Sequence, residues 1–128
     1  MAAIRILVVD DHPMLREGII ALLASETDIE IVGEAGDGVE AVERFEQLRP
    51  DIMLLDMQMP RLDGEATIRV VRERHPKAKI VVLTTYDGDV QASRALKAGA
   101  SGYLLKSSLR HELLDTIREV YAGRRRVL

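Results

Sequence analysis

Asp10 and Asp11 stand together where the apolar run Ile4-Arg5-Ile6-Leu7-Val8-Val9 stops, and Asp56 stands where Ile52-Met53-Leu54-Leu55 stops. Carboxylates are the ligands a hard divalent cation prefers, and a carboxylate oxygen can also act as a nucleophile toward phosphorus. Lys106 follows Tyr103-Leu104-Leu105 and offers a mobile point charge of the kind that suits phosphoryl oxygens. Thr84 follows Ile80-Val81-Val82-Leu83 and offers a hydroxyl. Together these residue types point to chemistry on a cation and a phosphoryl group, provided that the fold delivers them to one place.

The runs that end in these residues are too short and too β-branched for helices and do not alternate. They read as strands buried on both faces of a parallel sheet, and in such sheets ligands gather beyond the carboxyl ends of the strands. The intervening segments read as helices. Pro13 suits a first helical turn, because its missing N–H would be unpaired there anyway, and the helix is expected from about Pro13 to Ser25. Ile29-Glu30-Ile31-Val32 is the second strand. Asp37-Gly38 offers an N-cap to the helix through Phe45, which Arg49-Pro50 ends. Asp63 caps a helix that stops near His75-Pro76. A helix through Ala92, Leu96 and Ala98 ends at Gly99, where a left-handed residue is expected, and Ser107 or Ser108 caps a last helix reaching about Ala122. Five strand–helix units imply right-handed crossovers and a doubly wound α/β domain with helices on both faces. Periodicity does not give the strand order. If the first and third strands are neighbours, their ends lie about 4.8 Å apart and the carboxylates converge; a second strand between them would keep the carboxylates apart.

A chain of 128 residues, 47% of them hydrophobic, buries about two-thirds of its unfolded surface, enough for one core without a metal or disulfide staple. The absence of cysteine excludes a disulfide scaffold and thiolate chemistry, and fits a reducing, cytoplasmic setting. Arg5 interrupts an apolar stretch already too short for a signal peptide, and no run approaches the roughly 20 apolar residues of a membrane span. A net charge of -3 gives no basic footprint for nucleic acid, so DNA contact is expected only through a part outside these residues.

Asp10-Asp11, Asp56, Thr84 and Lys106, in that order and each at a strand's carboxyl end, resemble the receiver domain of bacterial two-component response regulators. The resemblance covers essentially the whole chain, with residues 1–122 as receiver and 123–128, carrying Arg124-Arg125-Arg126, as the start of an interdomain linker. It implies the flavodoxin-like (βα)5 order 2-1-3-4-5. The stretches Leu83-Thr84-Thr85-Tyr86-Asp87 and Leu96-Lys97-Ala98-Gly99-Ala100-Ser101-Gly102-Tyr103-Leu104-Leu105-Lys106 are most similar to the NarL/FixJ subfamily, whose members usually add a LuxR-type helix-turn-helix. The resemblance implies Asp56 as phospho-acceptor from a sensor histidine kinase, and Mg²⁺ held by Asp11, Asp56 and the backbone carbonyl of Gln58, with Asp10 orienting a water or ligating weakly. It also implies Lys106 neutralising phosphoryl charge, and a switch in which Thr84 moves inward and Tyr103 takes the vacated space.

Apolar residues on the first helix (Met14, Leu15, Ile19, Ile20, Leu22, Leu23) and the last exceed a single core-facing stripe. They suggest a dimer face and a homodimer favoured by phosphorylation, and the resemblance implies that the first helix also takes part in docking the upstream histidine kinase. Two features depart from the pattern or modulate it. Ser107 follows Lys106 where many receivers have proline, often with a cis bond, and Gln58 sits where side chains tune acyl-phosphate hydrolysis. Two other readings stay open: a stand-alone receiver working through protein contacts or a phosphorelay, and a Mg²⁺ phosphatase of the haloacid dehalogenase type. The latter expects a second Asp where this chain has Gln58.

Overall fold

The computed structural model describes residues 3–57, 62–84 and 90–123, with backbone alone for 90–92. Strands β1 (Ile4–Val9), β2 (Ile29–Ala35), β3 (Ile52–Asp56), β4 (Lys79–Thr84) and β5 (Gly102–Leu105) alternate with helices α1 (Pro13–Leu23), α2 (Gly38–Leu48), α3 (Gly64–Arg74), α4 (Val90–Ala98) and α5 (Leu109–Tyr121). All strand pairs are parallel, in the order β2-β1-β3-β4-β5. The first and third strands are therefore neighbours, with Val9 opposite Leu55.

Local chemistry sets most boundaries. Pro13 opens α1, Asp37 caps α2 by accepting from the Glu40 N–H at 2.8 Å, and Asp63 caps α3 by accepting from the Ala66 N–H at 2.9 Å. Helix α2 ends at Arg49, the one described non-glycine residue with positive φ, and α4 ends at Gly99 with φ +120°. Arg72 packs on that glycine so closely that an added Cβ would lie 2.9 Å from its Nε.

Three boundaries differ from the sequence expectation. Strand β2 runs on through Gly33-Glu34-Ala35, past a bulge opposite Ile6 and Leu7 that a period-two reading cannot anticipate. Helix α1 stops at Leu23 rather than Ser25. Ser108 stands at the N-cap of α5 without a side-chain cap hydrogen bond, because Lys106–Ser108 form a 3₁₀ turn that leads into the helix.

The sheet divides the core in two. On one face Ile6, Val8, Ile52, Leu54, Val81, Leu83 and Leu104 pack with Ile19 and Leu23 of α1 and Leu109, Leu113, Ile117 and Val120 of α5. On the other, Leu7, Val9, Met53, Leu55, Ile80, Val82 and Tyr103 pack with α2, α3 and α4 through Ala41, Phe45, Ile68, Val71, Ala95 and Ala98.

Candidate functional site

Alternation along the strands sorts the site residues. Asp10, Asp56 and Lys106 each lie two residues beyond a side chain of the α1/α5 face, namely Val8, Leu54 and Leu104. Thr84 lies two residues beyond Val82, on the opposite face, where Tyr103 is Val82's partner across β4 and β5. The carboxylates and the lysine thus converge on one side of the sheet edge, and the hydroxyl and the aromatic ring share the other.

Asp10 is fully buried and Asp56 is 1% exposed. Lys106 Nζ lies 3.2 Å from Asp56 Oδ1. Carboxylate oxygens of Asp10, Asp11 and Asp56 and a ring nitrogen of His12 all lie within 4.8 Å of one another. Asp10 Oδ1 accepts from the His12 N–H at 2.7 Å, while Asp10 Oδ2 is buried without a hydrogen-bond partner. Asp11 Oδ1 is likewise buried without a hydrogen bond, with Nδ1 of the His12 ring 2.9 Å away. An orphaned buried carboxylate oxygen calls for a cation. The oxygen-rich donor set fits Mg²⁺, a hard ion that keeps several waters and needs few carboxylates.

Thr84 and Tyr103 are buried, at 1% and 4% exposure. Gln58 lies outside the described residues, as do Thr85, Tyr86 and Asp87 and the basic tail from Arg124. The described residues contain no cis peptide bond, so Lys106–Ser107 is trans, and the missing proline is answered by the 3₁₀ turn.

Two side chains that the sequence reading passed over flank the carboxylates. Arg16 of α1 donates to the Asp10 carbonyl and pairs through Nε with Glu34 Oε1 at 3.2 Å, tying the β1–α1 turn to the end of β2. That end of β2 is the part missing from the expected strand, so the contact could not be anticipated. His12, read only as the residue before a helix, places Nδ1 3.2 Å from Asp10 Oδ1 and 2.9 Å from Asp11 Oδ1. Gly64, at the start of α3, is held against the residue after Asp56: a Cβ there would meet Met57 Cα and Sδ at 2.7 Å.

Residues 6–118 match the model of the response regulator receiver domain. The chain belongs to that family. The receiver is 41% identical over 120 residues to the uncharacterized transcriptional regulatory protein YxjL of Bacillus subtilis, covering 94% of this chain and 55% of the relative. It is 42% identical over 123 residues to the response regulator GacA of Pseudomonas viridiflava, covering 95% and 57%. The receiver thus spans just over half the length of these relatives. Among solved structures, it superposes on the signal receiver domain of the putative response regulator NarL from Mycobacterium tuberculosis with TM-score 0.91 and 35% identity, covering 97% of this chain and all of that one. It also superposes on a LuxR-family two-component response regulator from Aurantimonas with TM-score 0.93 and 38% identity, covering 98% and 89%. The fold is the flavodoxin-like receiver fold that the resemblance implied. No helix among the described residues is long and apolar enough to cross a membrane.

Proposed function

We propose that Asp56 is the phospho-acceptor of this receiver, which works in the cytoplasm and takes a phosphoryl group from a sensor histidine kinase. The observation that carries the reading is the ion pair at 3.2 Å between Lys106 Nζ and a 1% exposed Asp56, beside the buried Asp10 and the partly exposed Asp11. Asp56 attacks phosphorus in line and becomes an acyl phosphate, and its burial keeps bulk water from the mixed anhydride. Lys106 holds positive charge against the phosphoryl oxygens as the donor departs. Asp11, Asp56 and the backbone carbonyl of Gln58 would hold Mg²⁺, with Asp10 behind them. When bound, the ion neutralises charge spread over the transferring group.

Phosphorylation then adds charge and acceptors at Asp56, drawing the Thr84 hydroxyl inward and letting the Tyr103 ring follow on the α4 side. The α1 surface supports a docking role. Met14 is 86% and Leu22 39% exposed, and a groove of about 470 Å³ runs between α1 and the start of α5, lined by Leu15, Leu22, Ser107 and Arg110 and ending at Lys106. A kinase helix seated there is next to the site it serves, and a phosphorylation-favoured homodimer uses α1 and α5 or the face around β5. Residues 1–122 form the receiver and 123–128 begin a linker to a DNA-binding domain of the kind that the longer transcriptional relatives can accommodate.

The test is intact-mass spectrometry after incubation with acetyl phosphate or phosphoramidate and Mg²⁺, beside Asp56→Asn and a chelator control. The expected result is a gain of one phosphoryl group that requires both Asp56 and the metal. A gain that survives Asp56→Asn would place the acceptor elsewhere.

A further inference from the structure

The acidic pocket contains one donor that is not an oxygen. His12 Nδ1 lies 2.9 Å from Asp11 Oδ1 and 3.2 Å from Asp10 Oδ1. Ligands about 2.1 Å from an octahedral ion are separated from their cis neighbours by about 3.0 Å, the square root of two times the bond length. The ring nitrogen therefore already stands from both carboxylates at the length of an octahedron's edge. Asp10 Oδ2, buried and without a hydrogen bond, is independent evidence that the pocket awaits a cation, since the His12 N–H and ring Nδ1 both reach Asp10 Oδ1 and leave Oδ2 unanswered. The His12 side chain is 66% exposed, so it can turn without disturbing the core.

Resting on the proposed metal-binding role of the pocket, we infer that His12 is a nitrogen ligand that sets its metal preference. Imidazole suits the later divalent transition metals, while Mg²⁺ takes oxygen ligands and dehydrates reluctantly. Toward Mg²⁺ the ring would add little, whereas toward Co²⁺, Ni²⁺ or Zn²⁺ its Nδ1 would supply a nitrogen ligand in place of water. His12 thereby gives the receiver a site in which a transition metal competes with Mg²⁺ more strongly than an all-oxygen pocket would allow.

The test measures Mg²⁺ and Co²⁺ affinities by isothermal titration calorimetry on the 128-residue chain and on His12→Gln. Only Co²⁺ that Mg²⁺ displaces is counted, which removes binding at His75 or His111. Thermal melts check that the variant folds. Removing the nitrogen is expected to weaken displaceable Co²⁺ binding about tenfold or more while Mg²⁺ affinity stays within about twofold. The Co²⁺ form should also show a hyperfine-shifted, exchangeable imidazole N–H resonance that disappears in the variant. Equal loss for both metals would reduce His12 to a residue that positions Asp10 and Asp11 and overturn the inference, as would unchanged Co²⁺ affinity. Failure of the unsubstituted chain to bind either metal would instead overturn the reading of the pocket itself, and the inference with it.

Discussion

The two faces of the sheet are packed from different materials. Toward α1 and α5 every buried residue of the hydrophobic cluster is Ile, Leu or Val. Toward α2, α3 and α4 the core contains Ala35, Ala41, Ala78, Ala95, Ala98 and Ala100, with Met53, Met57, Phe45 and Tyr103 between them. Branched aliphatics in fixed rotamers make a face that is costly to rearrange. Alanines let helices approach closely, and methionine adapts to irregular space. The face that carries Asp56 and Lys106 is therefore the stiff one, and the face that carries Thr84 and Tyr103 is the one able to repack. In the proposed switch, charge would arrive on one side and shape would change on the other, with β3 and β4 as the shared wall.

The largest effect is expected from breaching the stiff face. Ile117 is fully buried on α5. Ile117→Ala should cost about 2–5 kcal/mol through lost burial and a residual cavity, read as a fall in the guanidinium midpoint at unchanged slope; a cost under about 1 kcal/mol would show that this face relaxes after all.

A smaller effect tests the adaptable face. Thr84→Ala should leave phosphorylation of Asp56 in place but weaken phosphorylation-dependent dimerisation about fivefold or more, the low end of ordinary coupling energies. Sedimentation with and without acetyl phosphate measures it, and unchanged dimerisation would remove Thr84 from the switch.

The smallest effect concerns an exposed tie behind the stiff face. Arg118 of α5 donates to both Asp28 oxygens at 3.0 Å and to Glu26 at 3.1 Å. The Arg118 hydrogen bonds hold the Asp28 carboxyl below its ordinary value of 3.8, and burial opposes them only in part. A carboxyl whose folded-state pKa is depressed contributes stability above its unfolded value and loses it as pH falls through the folded one. Asp28→Asn should therefore lower the melting temperature slightly at neutral pH, and the gap to the parent should close below about pH 4. A gap that persists there would mean that the pair does not act through charge.

Much of this was legible in the sequence because burial on both faces leaves unbroken apolar runs. Ile52–Leu55 and Ile80–Leu83 were recognisable for that reason, and Asp56 and Thr84 were conspicuous as the polar residues that close them. The end of β2 was not legible. Gly33-Glu34-Ala35 is neither apolar nor alternating, and its strand state comes from pairing with Leu7, Val8 and Val9 across the bulge. Strand order came from the family resemblance, since periodicity says which residues share a face and nothing about which strands are neighbours. The caps Asp37 and Asp63 follow local rules and were readable. Ser108 was not, because the 3₁₀ turn that displaces its side chain depends on how β5 leaves the sheet. His12 and Arg16 escaped notice because a helix start explains the first and a solvated helix face the second until the end of β2 is in place.

Lys79, the first residue of β4, donates from Nζ to the Tyr121 carbonyl at 2.9 Å and lies 5.5 Å from the centroid of the Tyr121 ring. Thr84 is at the other end of the same strand, so the last turn of α5 is fastened about 17 Å from it, five steps of roughly 3.3 Å along the six-residue strand. Tyr121 is thus tied at the end of the sheet opposite Asp56 and Lys106. Were Asp56 to take the phosphoryl group as proposed, its effect would have to cross that length of sheet to reach Tyr121.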